Sequence, residues 1–188
     1  MPIIVRRQIA FAQRRRAKDL DLEAALSVVS SAVRDAALAA DQELSRLGIR
    51  HVLCGGLAVG ARGYPRATKD VDFLVGEEAF EHHGTIVTLR APFQVGGVAV
   101  DSIPVPPDGL FLAAELDRPT TSRIAVVSLG GLVFMKLLAG RKRDLGDITE
   151  LVKAGADVRA ITTYLTTHAP DRLEEFATLA REAEAEAP

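Results

Sequence analysis

Residues 53–75 read Leu-Cys-Gly-Gly-Leu-Ala-Val-Gly-Ala-Arg-Gly-Tyr-Pro-Arg-Ala-Thr-Lys-Asp-Val-Asp-Phe-Leu-Val, and the fold turns on how they are read. An apolar run over residues 50–53 ends at Cys54-Gly55-Gly56, residues 56–62 suit a short helix, and Gly63-Tyr64-Pro65 breaks it. Residues 70–75 then alternate as a strand. Side chains two apart in a strand share a face, so Asp70 and Asp72 project together while Val71, Phe73 and Val75 turn into a core. Aspartate is unfavourable inside strands, and two like charges about 4 Å apart cost roughly 4 kcal/mol at an effective dielectric of 20. A cation is expected to face them, and Lys69 points the other way. The alternative is a strand start frayed into water.

Working outward, Val98-Ala99-Val100-Asp101-Ser102-Ile103 is another apolar strand with one unexplained acid. If it lies beside residues 70–75, Asp70, Asp72 and Asp101 converge from two strands. An oxygen-only donor set suits a hard cation, Mg²⁺ or alternatively Mn²⁺. Gly55 and Gly56, between a strand and a helix, let backbone N–H groups face an anion, although a glycine pair alone is more often a plain turn. Leu129, Leu132, Val133, Lys136 and Gly140 trace one helical face, which gives Lys136 an apolar position. A buried ammonium needs a partner; the other reading is a stem that snorkels its charge to water.

The rest of the pattern is α+β, close to α/β in character: a small mixed sheet preceded by a helix and followed by a C-terminal helical bundle. A helix is expected over 19–47, ended by Gly48, and about two helical turns over 77–83 before Gly84. Strands are expected over 85–89 and 98–103, joined as a hairpin at Gly96-Gly97, and over 124–127. Helices are expected over 108–116, 128–139, 144–154, 157–167 and 171–184, each opening on a good N-cap. The organisation that follows is a basic arm over 1–18, a core over 19–127, and a helical region over 128–188 packed on that core.

Composition sets the bounds. The 188 residues are 48% hydrophobic and 26% charged, outside the disordered range. A net charge of −2 gives no global nucleic-acid footprint. The arm carries Arg6, Arg7, Arg14, Arg15, Arg16 and Lys18 with no acid among them, which suits phosphate contact or a solvated terminus equally. The single Cys54 excludes an internal disulfide, and His51, His82, His83 and His168 lack zinc-ligand spacing. Without a long apolar run or a secretory pattern, the expectation is a cytoplasmic protein with no membrane partner.

The stretch over 53–75 resembles the Gly-Gly…Asp-x-Asp signature of polymerase-β-type nucleotidyltransferases. More narrowly it is similar to the AbiEii-type branch, found as toxins of bacterial toxin–antitoxin and phage-abortive systems. A second match lies over residues 128–148, where a helix with an inward lysine, Lys136, is followed by Arg141-Lys142-Arg143-Asp144 and then Asp147. The resemblance spans residues 50–155. It implies a minimal nucleotidyltransferase core that transfers a nucleoside monophosphate from an NTP to an acceptor hydroxyl with Mg²⁺, releasing pyrophosphate. Asp70, Asp72 and Asp101 would be metal ligands and catalytic, with Asp101 assisting deprotonation of the acceptor. Gly55, Gly56 and Lys136 would sit on the phosphates, and Arg66 and Thr68 match the family beside the nucleotide. Asp144 and Asp147 are the N-cap and N3 acids of the next helix or lie near the nucleotide or the acceptor. The branch implies RNA, a tRNA 3′ end or a protein hydroxyl as acceptor, and a cognate antitoxin as partner. An antibiotic-modifying enzyme and a non-catalytic nucleotide-binding regulator are the alternatives. The segment over 77–84 is shorter than the family's linking helix, and the C-terminal helices resemble the branch only loosely.

Overall fold

The computed structural model describes residues 20–186; the basic arm over 1–18 lies outside them. The region expected as one helix over 19–47 is two. Helix α1, Leu22–Ser27, starts at Asp21, whose carboxylate accepts from the Ala24 N–H. Helix α2, Ser31–Arg46, starts at Ser30, whose hydroxyl accepts from the Val33 N–H. The break falls in Ser27-Val28-Val29-Ser30, where β-branched residues lower helix propensity and serine offers the backbone a competing hydrogen bond.

A mixed four-stranded sheet forms the centre, with β1 His51–Leu53, β2 Val71–Val75, β5 Gln94–Val95 and β6 Val98–Pro104 in the order β1-β2-β6-β5. Strand β2 is antiparallel to β1 and parallel to β6. Gly96 and Gly97, both with positive φ, make the tight turn that folds β5 onto β6. The glycine hairpin is therefore present, but its first arm is Gln94–Val95 rather than residues 85–89. Helix α3, Gly55–Ala61, follows β1 and is buried along almost its whole length.

Residues 77–83 are not helical. A 3₁₀ turn, Glu77–Ala79, leads into β3, Phe80–His83, which pairs antiparallel with β4, Ile86–Leu89, across Gly84 at φ 65°. A run this short cannot offset the cost of nucleating a helix, whereas a β-branched partner strand two residues away closes a hairpin. The expected strand over 124–127 is reduced to one parallel bridge, Leu53 to Val126. Arg62 donates to the carbonyls of Val126 and Val127 there and takes up their pairing capacity. Residues 107–117 are 3₁₀, interrupted at Gly109.

Four helices complete the chain: α4 Leu129–Ala139, α5 Lys142–Lys153, α6 Val158–His168 and α7 Leu173–Glu186. Ser128 and Asp157 cap α4 and α6 as expected. Helix α5 begins earlier than residue 144, with Arg141 at the N-cap and no side-chain cap bond. A 3₁₀ turn, Pro170–Arg172, precedes α7. One hydrophobic cluster runs from Leu22 in α1 to Ala183 in α7. Among the described residues no helix is long and apolar enough to cross a membrane.

Helices α4 and α6 meet at Gly130, where an added Cβ would lie 2.3 Å from Tyr164 Cγ. Gly146 on α5 has open space around it. Gly130→Ala should lower stability by about 1–3 kcal/mol through overpacking, and Gly146→Ala should raise it by about 0.5–1 kcal/mol through helix propensity. Urea unfolding of the two variants checks the pair, and equal effects would refute this helix contact.

Candidate active site

The parallel pairing of β2 with β6 sets Asp72 directly opposite Asp101. Asp70 lies one residue before β2, and all three face a cavity of about 420 Å³. Gly55, Gly56, Arg66 and Thr68 line it from the core; Lys136, Arg141, Arg143 and Asp144 line it from α4 and α5. Of the residues nominated from the sequence, only Asp147 is not part of its wall.

The glycine pair is shaped around the site's own side chains. Gly55 has φ 59°, and a Cβ there would sit 1.8 Å from Asp72 Oδ2. The Gly56 N–H hydrogen-bonds the same carboxylate. A Cβ on Gly56 would meet the Thr68 hydroxyl at 2.9 Å, and that hydroxyl donates to Asp70 Oδ1. The space that sequence reasoning leaves for a phosphate is thus partly taken by Asp72 and Thr68.

Burial pushes the Asp72 carboxyl up to about 6, helped by the charges of Asp70 and Asp101 and opposed by the Gly56 N–H and Lys136. Like-charge crowding among the three acids is expected from the sequence; burial proves the larger cause.

Lys136 does not snorkel. It is 5% exposed, and its Nζ donates to Asp144 Oδ1 at 3.0 Å and Asp147 Oδ2 at 2.6 Å. Asp147 also takes both Nε and Nη2 of Arg66 at 2.7 Å, a two-pronged grip. Asp144 also accepts from Arg141 Nε at 2.6 Å. The two aspartates are therefore buried ion-pair members, and the reading of them as capping acids fails: Asp144 sits in the first turn of α5 without capping it, and Asp147 lies in the second turn. Burial pushes both carboxyls up, but the hydrogen bonds from Arg141 and Arg66, and from Lys136, outweigh it and hold both below the usual range.

Sequence reasoning did not single out Arg141 and Arg143 as wall residues, although the basic run over 141–143 was their signal. It also gave no hint of Glu115. That buried carboxylate accepts from the Ser128 N–H at 2.8 Å, from the Ser128 hydroxyl and from Tyr164. It fixes the start of α4, and with it the line along which Lys136 enters the site.

The donor set fits a hard divalent cation: oxygens only, from adjacent strands, with a charge surplus that a metal would neutralise. Among the described residues no three His, Cys, Asp or Glu side chains close around one point. The three acids share one cavity without forming a closed cage.

No protein-family model matches the chain, and no curated protein matches it. Among solved structures it is similar to the crystal structure of an antigenic nucleotidyltransferase-like protein from Paracoccidioides brasiliensis. Identity is 17%, over 82% of this chain and 94% of that one, with a TM-score of 0.46. A superposition this loose carries no argument for activity, which has to come from this chain's own side chains.

Two outcomes follow from the electrostatics. Removing Lys136 takes one hydrogen bond from each of Asp144 and Asp147, which keep Arg141 and Arg66, so Lys136→Met should cost about 1–3 kcal/mol, measured by chemical denaturation. A variant as stable as the wild type would mean the cluster does not hold Lys136. For Asp72, a raised carboxyl means that the folded chain binds the proton more tightly than the unfolded chain. The stabilisation is complete below the ordinary value of 3.8 and is lost as pH rises from there to about 6. Metal-free Asp72→Asn should therefore melt above the wild type at pH 7, by about 1–3 kcal/mol. Its advantage should shrink below pH 6 and vanish near pH 4; melting curves across that range decide it.

Proposed function

We propose that the chain is a Mg²⁺-dependent nucleotidyltransferase of the polymerase-β type, acting in the cytoplasm. It moves a nucleoside monophosphate from an NTP to an acceptor hydroxyl and releases pyrophosphate. One observation carries the reading: Asp70, Asp72 and Asp101 face the same cavity as Lys136, Arg66, Arg141 and Arg143. Carboxylates and cations sharing one cavity of about 420 Å³ suit a metal–triphosphate better than either ion alone.

Asp70, Asp72 and Asp101 are the residues that would hold the metal. When bound, Mg²⁺ supplies charge stabilisation to the attacking and leaving oxygens of an in-line displacement. Asp101, across the ladder from Asp72, would take the proton of the acceptor hydroxyl. Lys136, Arg141 and Arg143 offer positive charge to the phosphates. Arg143 is the most available, exposed and without an ion pair among the described residues; Arg141 is 78% exposed at its side chain but held by Asp144, which it shares with Lys136. Leu132, Met135 and Leu138 add an apolar flank that keeps water from the reacting groups.

The finer reading is a toxin of the AbiEii type whose acceptor is RNA, at a tRNA 3′ end, or else a protein hydroxyl, with an antitoxin protein as partner. It rests on the sequence motifs over 53–75 and 128–148. Incubation with each α-labelled NTP, Mg²⁺ and total cellular RNA or protein tests the chemistry. Label should reach one acceptor class in the wild type and fall to background in Asp70→Ala and Asp72→Ala, with circular dichroism unchanged. Transfer at wild-type rates by either variant would sink the assignment. Induced expression in a bacterial host should stop growth with the wild type and not with Asp70→Ala.

A further inference from the structure

Asp147 is 4% exposed and is not part of the cavity wall, so it has no route to a ligand. It is nonetheless fully engaged, taking two hydrogen bonds from Arg66 and one from Lys136. Both of those cations do line the cavity. A forked guanidinium–carboxylate pair fixes direction as well as distance. The remaining Arg66 nitrogen, Nη1, donates to the Ala67 carbonyl at 3.3 Å and lies 3.3 Å from where a Gly56 Cβ would be. Every Arg66 nitrogen is thus committed elsewhere, although Asp70 stands close enough for its charge to act on the guanidinium. Asp70 instead accepts the Thr68 hydroxyl. A guanidinium freed beside that carboxylate would pair with it.

We infer that Asp147 is a positioning residue: it parks Arg66 against the cavity wall and away from Asp70, leaving the Asp70 carboxylate open to a divalent cation, and it fixes Lys136 in the same wall. The inference rests on the proposed metal role of Asp70, Asp72 and Asp101. It gives α5 a function at a distance, since a side chain outside the cavity decides which charges inside it are available.

The test is Mn²⁺ binding to the full chain, read from the free-ion electron paramagnetic resonance signal without nucleotide. The proteins compared are wild type, Asp70→Asn, Asp147→Asn and the double variant Asp147→Asn/Arg66→Gln. The wild type should bind and Asp70→Asn should not. Asp147→Asn should bind about 10- to 100-fold more weakly, and the double variant should recover most of that loss because the intruding cation is gone. A merely structural Asp147 gives the opposite order, because Arg66→Gln removes a further buried contact and repairs none. Wild-type affinity in Asp147→Asn, or a double variant as weak as the single one, overturns the proposal and leaves the metal role of the three aspartates standing. A wild type that binds no Mn²⁺ overturns both. Should Asp147→Asn fail to fold by circular dichroism, Asp147→Glu replaces it. That variant keeps the charge but displaces the fork by a methylene, and recovery by Arg66→Gln is again the deciding outcome.

Discussion

Strands β2 and β6 run parallel at the centre of a small sheet and set Asp72 against Asp101 across the ladder. A parallel pair with like charges in register is a poor way to hold two strands together. The apolar positions make it possible: Val71, Phe73, Leu74 and Val75 are fully buried, and Val100 nearly so. Their burial fixes the register, and the register fixes where the acids go. Much of the remaining architecture answers that placement, from the glycines that make room for Asp72 to the cations that α4 and α5 carry over it.

Those cations arrive already neutralised in part. Lys136, Arg66 and Arg141 share two aspartates, Asp144 and Asp147, in a cluster tying α4 and α5 to the loop before β2. Buried ion clusters seldom add net stability over apolar side chains of the same size, so stability is a weak reason for this one. Its geometric effect is clearer. It holds a surplus of one positive charge, three cations against two anions, beside carboxylates that would otherwise draw the cations onto themselves.

How much of this was legible in the sequence differs from residue to residue. Asp70, Asp72 and Asp101 could be read because an acid in an apolar strand contradicts its surroundings, and a period of two says which way it points. Lys136 could be read as buried by the same logic on a helix. Its partners could not, because contact between α5 and the loop holding Arg66 depends on tertiary packing that no local period encodes. Asp144 and Asp147 looked like the N-cap and N3 acids of a helix starting at 144, since local rules explain acids there equally well. The break between α1 and α2 was missed because alanine and leucine on either side kept the helical period across Ser30. Residues 80–83 were misassigned for the opposite reason: their partner was the adjacent strand over 86–89, and a hairpin turn at Gly84 outweighs a weak helical pattern.

The β3–β4 ribbon also shapes how the molecule meets its surroundings. It lies apart from the four-stranded sheet, and it shows Ile86, Val87 and Leu89 to solvent. At its base, Arg90 donates to the carbonyls of Ala79 and Glu78. An isolated pair of strands is barely self-supporting in water, so its amides will exchange with solvent before those of the sheet. Unpaired ribbon edges bearing branched apolar side chains are also natural templates for intermolecular pairing. In concentrated solution the ribbon over 80–89 is therefore one edge through which copies of the chain can pair.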